Sequence, residues 1–263
     1  MPNRPSLDLS ASAEATSARP YRASVVVPTL NEEKTLEALL RPLREHAEVL
    51  GLELVVSDGG STDSTLAIAL ALADRVVVHD GPSRQTIAAG RNAGAAQAAS
   101  PSVLLFFNAD VTLPDRLGAF VDDLIHAATE EGAATCRVLV DPRYATWMER
   151  VVLETANGIY WLTNRLRIVG MGRGEVHAVR RDLFVAAGGY RDHLAAGEDF
   201  DLFKRLLRRP GARIAFLWQW TVHEDPRRYR QRGLLRTMLD WSLNAVWVAA
   251  RDESRSTEWE AVR

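Results

Sequence analysis

The chain has one cysteine, Cys136, in 263 residues. That excludes an intrachain disulfide and a cysteine-built metal site. No apolar run reaches the roughly 18 residues of a membrane span. Neither sign of charge dominates, since the formal net charge is −2. No global field therefore draws the chain to nucleic acid. Both common glycine signatures for phosphate are missing, the loop ending in Gly-Lys-Ser/Thr and the Gly-x-Gly-x-x-Gly turn. Kinase, ATPase and dehydrogenase chemistry are disfavoured accordingly. Residues 1–21 are rich in Ala, Ser and Pro and lack an apolar centre, so a disordered tail is expected there rather than a signal peptide. Together these absences fit a cytoplasmic protein.

What is present is an alternation of two periods. Short β-branched or apolar runs at 24–27, 52–56, 76–78 and 103–107 read as buried strands. Between them, 32–50, 64–73, 86–99 and 114–130 show helical spacing or helical composition. Strands alternating with helices predict an α/β fold with a parallel sheet and crossovers. Beyond Gly132 the pattern loosens. Strands are expected at 133–140, 175–179 and 213–217, and helices within 144–166, 181–187, 198–209 and 230–250. The last carries Leu234, Leu235, Met238, Leu239, Leu243, Val246 and Trp247 on its apolar side, expected to pack against the domain. One domain over 22–250 is expected, with a nucleotide half (22–131) and an acceptor half (132–250). A polar tail follows over 251–263.

The most informative segment is Val103 to Phe107 running into Asn108-Ala109-Asp110. The C-terminal lip of a central strand is where α/β proteins bind ligands. Residues two apart in an extended segment face the same way, so Asn108 and Asp110 can address one ligand. Oxygen ligands suit Mg²⁺, which is often held by one or two carboxylates plus substrate phosphates. Other strand ends are polar too. Pro28-Thr29-Leu30-Asn31-Glu32 reads either as a helix cap or as a loop that binds a base. Asp58-Gly59-Gly60 reads as a tight turn that lets the backbone approach a ligand. Gly90-Arg91-Asn92-Ala93-Gly94 embeds an Arg-Asn pair between glycines, and Arg suits phosphate. Glu198-Asp199 opens a helix, where the dipole favours an ionised carboxylate fit to act as a base. His223, after an aromatic strand end, is a candidate third metal ligand. Five arginines, at 227, 228, 230, 232 and 236, precede the last helix.

In order and spacing these landmarks resemble the family 2 glycosyltransferases of GT-A fold, over about 23–241. The resemblance implies a Rossmann-like three-layer α/β/α sandwich with a mostly parallel central sheet. It implies an inverting, metal-dependent transferase using Mg²⁺ or Mn²⁺. The donor would be a UDP- or GDP-sugar, and the acceptor a hydroxyl of a glycan, lipid-linked or small molecule. Pro28, Thr29, Asn31 and Glu32 would line the base pocket. Asp58, beside Gly59, would contact the base. Arg91 and Asn92 would lie near the phosphates, and Asn108 and Ala109 at the donor. Asp110 would bind the metal, completed by His223. Asp199, with Glu198, would be the catalytic pair. Arg227 or Arg228 would close on the diphosphate, and Arg228 is the assigned residue. A lipid-linked acceptor would bring peripheral contact with the inner membrane face through 227–247. One departure is Asn108, where the family usually carries an acidic residue. It motivates a weaker alternative, a sugar-nucleotide binder without transfer. A sugar-1-phosphate nucleotidyltransferase is a further alternative, against which stands the lack of a Gly-rich basic loop near Pro28.

Overall fold

The computed structural model describes residues 21–100, 102–251 and 253. The expected N-terminal tail, apart from Tyr21, lies outside the described residues, as does the C-terminal tail apart from Arg251 and Glu253. Eight strands form one sheet: β1 (Ala23–Thr29), β2 (Leu52–Asp58), β3 (Arg75–Val78), β4 (Val103–Phe107), β5 (Val111–Thr112), β6 (Gly132–Val140), β7 (Val176–Arg180) and β8 (Arg213–Glu224). Their order is β3-β2-β1-β4-β7-β6-β8-β5. β1 to β4 run parallel to one another. β7 then runs antiparallel to both β4 and β6, and β6 and β8 are parallel to each other.

The sheet separates two apolar layers, and strand alternation decides which residue enters which. Val25 and Val27 of β1, with Leu105 and Phe107 of β4, face α1 (Leu36–Leu50) and α4 (Leu117–Glu131). Val26, Leu104 and Phe106 face the opposite layer, with α3 (Ile87–Gln97), α6 (Arg181–Ala186) and α7 (Glu198–Leu207). α2 (Thr65–Leu72) completes the first layer. Burial on both faces explains why these strands are continuous apolar runs. Gly94 sets the approach of α3: a Cβ there would lie 2.5 Å from Val26 Cγ1. No side chain fits, so the helix sits close enough to put Arg91 inside the fold.

Three expectations need correction. The first strand outruns the expected 24–27, since β1 includes Pro28 and continues to Thr29. The β4 ladder ends at Val26↔Phe106, so the missing N–H of Pro28 costs no bond on that side. α1 begins at Leu36, not near Glu32. A turn closed by Thr35 N–H on the Glu32 carbonyl (3.1 Å) precedes it, which leaves Glu32 in a loop rather than on the helix dipole. The long final helix is two helices, α8 (Arg227–Arg232) and α9 (Leu234–Arg251), parted at Gly233 with φ +82°. A positive φ ends a helix and suits glycine. Its expected inward face is also divided. Leu234, Met238 and Trp241 pack on Val140, Leu153 and Tyr229, whereas Leu235, Leu239 and Leu243 are exposed. The remaining helix, α5 (Trp147–Arg165), begins with a capping box, Thr146 and Glu149.

Candidate active site

A cavity of about 360 Å³ opens at the C-terminal ends of β1, β2 and β4, within the size range of small-molecule sites. Pro28, Thr29, Asn31, Glu32, Gly59, Asn108, Ala109 and Asp110 all line it. The loop after β1 is pinned to the turn after β2. Asn31, at φ +56°, accepts from Thr62 N (2.8 Å) and donates its own N–H to Ser61 Oγ (2.9 Å). Asn tolerates this left-handed conformation better than most residues.

Asp58 has a different place from the expected one. It is buried, and its carboxylate accepts from Thr29 Oγ1 (3.1 Å), Ser61 Oγ (2.5 Å), Gly60 N (3.1 Å) and Ser61 N (2.8 Å). Those four bonds occupy its oxygens, so it shapes the turn that presents Gly59. Arg91 and Asn92 also lie off the cavity wall. Arg91 is 1% exposed. Its guanidinium donates to Glu198 Oε1 (2.8 Å), Asn108 Oδ1 (2.9 Å) and the Gly174 carbonyl (2.7 Å). A head group so enclosed braces the site from beneath. The bond to Asn108 also gives the unexpected amide a role, because arginine only donates and the amide oxygen can answer it. Asn92 accepts from Tyr190 N (3.0 Å) and donates to the Tyr190 carbonyl (2.8 Å) and Asp192 (2.6 Å). It holds the segment leading to α7.

The two adjacent acids at the start of α7 are separated by this packing. Glu198 is buried on Arg91. Asp199 is half-buried and accepts only from the Phe200 N–H at 2.7 Å among the bonds found for it. Its carboxylate lies against Gly174, where a Cβ would come within 3.1 Å of Oδ2. Burial first, then the Glu198 charge, push the Asp199 carboxyl up to about 7.

Asp110 faces a cation. Arg227 Nη2 lies 3.1 Å from Asp110 Oδ2 and 3.3 Å from Glu32 Oε2. Burial raises the Asp110 carboxyl above its ordinary range against the pull of Arg227. Burial, and then Asp110, raise that of Glu32. The side chain of Arg228, the arginine expected to meet the diphosphate, lies outside the described residues. The neighbour on the cavity wall is Arg227.

His223 does not face Asp110. Successive strand residues point to opposite sides, and Glu224 takes the cavity side. The charged neighbours of His223 are Asp141 and Arg137. His223 thus lies off the cavity wall, and the carboxylates that share that wall with Asp110 include Glu224 and Glu175. Glu224 accepts from Tyr229 Oη (2.5 Å), and burial and the Glu175 charge raise its carboxyl to about 8. Behind them Arg173 is buried, 3.3 Å from Glu175 and 3.9 Å from Glu224. Glu175, Glu224, Arg173 and the wall residue Trp241 escaped the sequence reading. The one available signal was alternation, which allows only one of His223 and Glu224 to look inward.

The site suits a divalent cation that arrives with a phosphate. Glu32, Asp110, Glu175, Glu224 and Asp225 line one cavity. Among the described residues no three His, Cys, Asp or Glu side chains gather as a ready metal cage. Oxygen ligands from Asp110 and from a diphosphate together match the way Mg²⁺ is commonly held.

Comparison with known proteins agrees with this geometry. A family model described as glycosyl transferase family 2 matches residues 24–162. The succinoglycan biosynthesis protein ExoA of Rhizobium meliloti (strain 1021) is 30% identical over 190 residues, 69% of this chain and 57% of that protein. ExoU of the same organism is 28% identical over 218 residues, 77% of this chain and 61% of that protein. The chain thus spans about three fifths of the length of these curated relatives. Among solved structures, the Pyrobaculum calidifontis mannosyltransferase with GDP-Man and Mn²⁺ superposes with TM-score 0.57 at 22% identity, covering 84% of this chain and 64% of that one. Glucosyl-3-phosphoglycerate synthase of Mycobacterium tuberculosis with Mn²⁺, UDP and phosphoglyceric acid gives TM-score 0.59 at 21% identity, covering 89% and 78%. At these identities the structural likeness carries the fold, which is the GT-A arrangement the sequence led us to expect. With the family model matching more than half of its length, this chain belongs to glycosyl transferase family 2.

Proposed function

We propose that the chain transfers a sugar from a nucleoside diphosphate sugar, UDP- or GDP-linked, to a hydroxyl of a growing glycan. The reading rests on one observation above the others. Asp110 and Arg227 face each other at 3.1 Å on the wall of a cavity that also includes the Pro28–Glu32 loop and the Gly59 turn. That wall offers a nucleoside a polar, glycine-lined slot and offers its diphosphate both a carboxylate for a cation and a guanidinium fork. The names of ExoA and ExoU, both succinoglycan biosynthesis proteins, support a glycan acceptor.

Thr29, Asn31 and Glu32 would bind the nucleoside, with Gly59 letting it approach the backbone. Asp110 would hold Mg²⁺ or Mn²⁺. A cation bound there supplies charge neutralisation for the departing diphosphate. Arg227 would turn from the carboxylates to the phosphate oxygens. Asp199 would take the acceptor proton as the acceptor oxygen bonds to the anomeric carbon and the bond from that carbon to the diphosphate oxygen breaks. One displacement on the opposite face inverts the centre. Arg91 and Glu198 would hold this geometry from below.

Asp110→Ala tests the assignment. Titrating UDP and GDP with and without Mn²⁺ should show metal enhancement in the wild type and none in the variant. Equal enhancement in both would remove Asp110 from the metal site. Arg227→Met should act with opposite signs on two ligands. Mn²⁺ alone should bind several-fold tighter, because a competing cation has left Asp110 and Glu32. The nucleoside diphosphate should bind more weakly, by roughly 10- to 150-fold for one lost charge-assisted contact of about 1.5–3 kcal/mol. A variant weakened toward both would show that Arg227 only maintains the wall.

A further inference from the structure

We infer that the outer faces of α5 and α9 form a docking surface for an anionic phospholipid bilayer, with the enzyme lying on the membrane rather than crossing it. The first observation is an inversion of the usual helix pattern. A surface helix normally turns its polar side outward. On α5 the outward positions Trp147, Val151, Ile159 and Leu162 are apolar and exposed, continued by Leu166 just past its end. Their spacing of three, four or eight keeps them on one face. Trp147 is 76% exposed and Leu166 58%. α9 repeats the pattern with a strict step of four: Leu235, Leu239, Leu243 and Trp247 are all exposed. Leu235 is 65% exposed and Leu239 58%. Apolar stripes of this length exceed the scattered exposed residues of an ordinary surface and mark an interaction site.

The two stripes belong to one surface. Val152 and Leu153 of α5 share a small core with Leu234, Met238 and Trp241 of α9. Arg230 of α8 bonds the Glu149 carboxylate and the Tyr144 carbonyl at the start of α5. Inner residues of both helices and Val140 of β6 meet in that core, and the exposed stripes lie outside it.

Charge names the occupant. Residues 143–168 and 227–251 carry eight exposed arginines, besides Arg227 on the cavity wall and Arg228, whose side chain lies outside the described residues, against only Glu149, Glu154 and Asp240, in a chain of net charge −2. The basic residues are therefore gathered where the apolar stripes are, and the remainder of the chain is acidic. Two of the three acids are already bound, Glu149 by Arg230 and Glu154 by Arg137. Apolar stripes with tryptophan, bordered by arginine, match the depth profile of an anionic bilayer surface, with acyl chains inside and lipid phosphates outside. A second copy of the chain would bring the same arginines against themselves. No described helix is long and apolar enough to cross a membrane, which fits contact in the interface plane. The inference does not depend on the sugar transferred.

Sedimentation with phosphatidylglycerol-containing vesicles tests it, using the full chain and pure phosphatidylcholine vesicles as control. The wild type should pellet with the anionic vesicles at low salt, and less at high salt. Arg232→Gln with Arg236→Gln should weaken binding by about fivefold for each arginine that acts near the surface. Trp147→Ser with Leu239→Ser should abolish pelleting while thermal stability and nucleotide binding stay unchanged, since both side chains are exposed. A wild type that stays in the supernatant at low salt would overturn the inference. So would a wild-type dimer by light scattering that the Trp147→Ser, Leu239→Ser chain loses.

Discussion

Asp199→Asn is expected to keep donor affinity and to lose about 10²–10⁴-fold in transfer rate, the usual worth of general base catalysis. The structure sharpens the choice between two adjacent acids. Glu198 is tied to Arg91 at 2.8 Å, whereas Asp199 accepts from the Phe200 N–H and lies against Gly174 beside the cavity residue Glu175. A base must be ionised. Because burial and Glu198 raise the Asp199 carboxyl to about 7, kcat/KM should fall roughly tenfold per unit as the pH drops below that value. The same shift gives a second readout with a definite sign. An acid whose folded pKa lies above its unfolded one favours the folded state in acid, and that contribution is lost as the pH rises through the folded pKa. Asp199→Asn should therefore raise Tm at about pH 8.5 and leave it nearly unchanged near about pH 4. Glu198→Gln should do the reverse of this pair, lowering Tm while retaining measurable transfer. If the glutamine variant is the dead one and Asp199→Asn is active, the base is Glu198.

Arg91→Met is expected to cost about 3–5 kcal/mol of stability, because breaking a buried ion pair leaves its partner charged and uncompensated. Here three acceptors lose their donor at once: Glu198, Asn108 and the Gly174 carbonyl. The guanidinium also lies 5.3 Å over the Tyr190 ring. For a domain of this size the loss corresponds to a fall in Tm on the order of 10 °C. Thermal unfolding of the two proteins at neutral pH measures it. Combining Arg91→Met with Glu198→Gln should restore part of the loss, since the second change removes the orphaned charge and neighbouring substitutions are not additive. A solvent-exposed phosphate ligand would behave otherwise. Its removal would weaken nucleotide binding and leave Tm almost unmoved, and that outcome would return Arg91 to the donor.

Much of the scaffold was legible in the chain because it depends on local pattern. The apolar runs at Val25 to Val27, Leu54 to Val56 and Val103 to Phe107 had to be buried on both faces, and the helical stretches between them had to cross over. The glycines at 90 and 94 were read as flanking an Arg-Asn pair, and only the structure shows that Gly94 lets the helix approach Val26. The polar ends of β1, β2 and β4 were located with equal directness, since ligands bind at strand lips in such sheets. Eight of the residues selected for the site do line one cavity: Pro28, Thr29, Asn31, Glu32, Gly59, Asn108, Ala109 and Asp110.

The rest required residues far apart in sequence to meet. A motif supplies an arginine but not its partner, so it could not show that Arg91 reaches back to Glu198, 107 residues away, instead of out to a phosphate. Nor could the sequence set Arg227 against Glu32 and Asp110, 195 and 117 residues distant. Strand alternation turns His223 away and Glu224 inward, yet which of the two faces the cavity depends on the register of β8 beside β5 and β6. The amphipathic pattern of α9 told of an apolar side but not of its division into a buried seam and an exposed stripe. The sequence by itself determined the elements, the sheet and the lips where chemistry occurs, because periodicity and turn chemistry act within a few residues. Only the tertiary structure decided which charges pair, which acid stays free and which apolar face meets solvent, because burial and Coulomb interaction act through space.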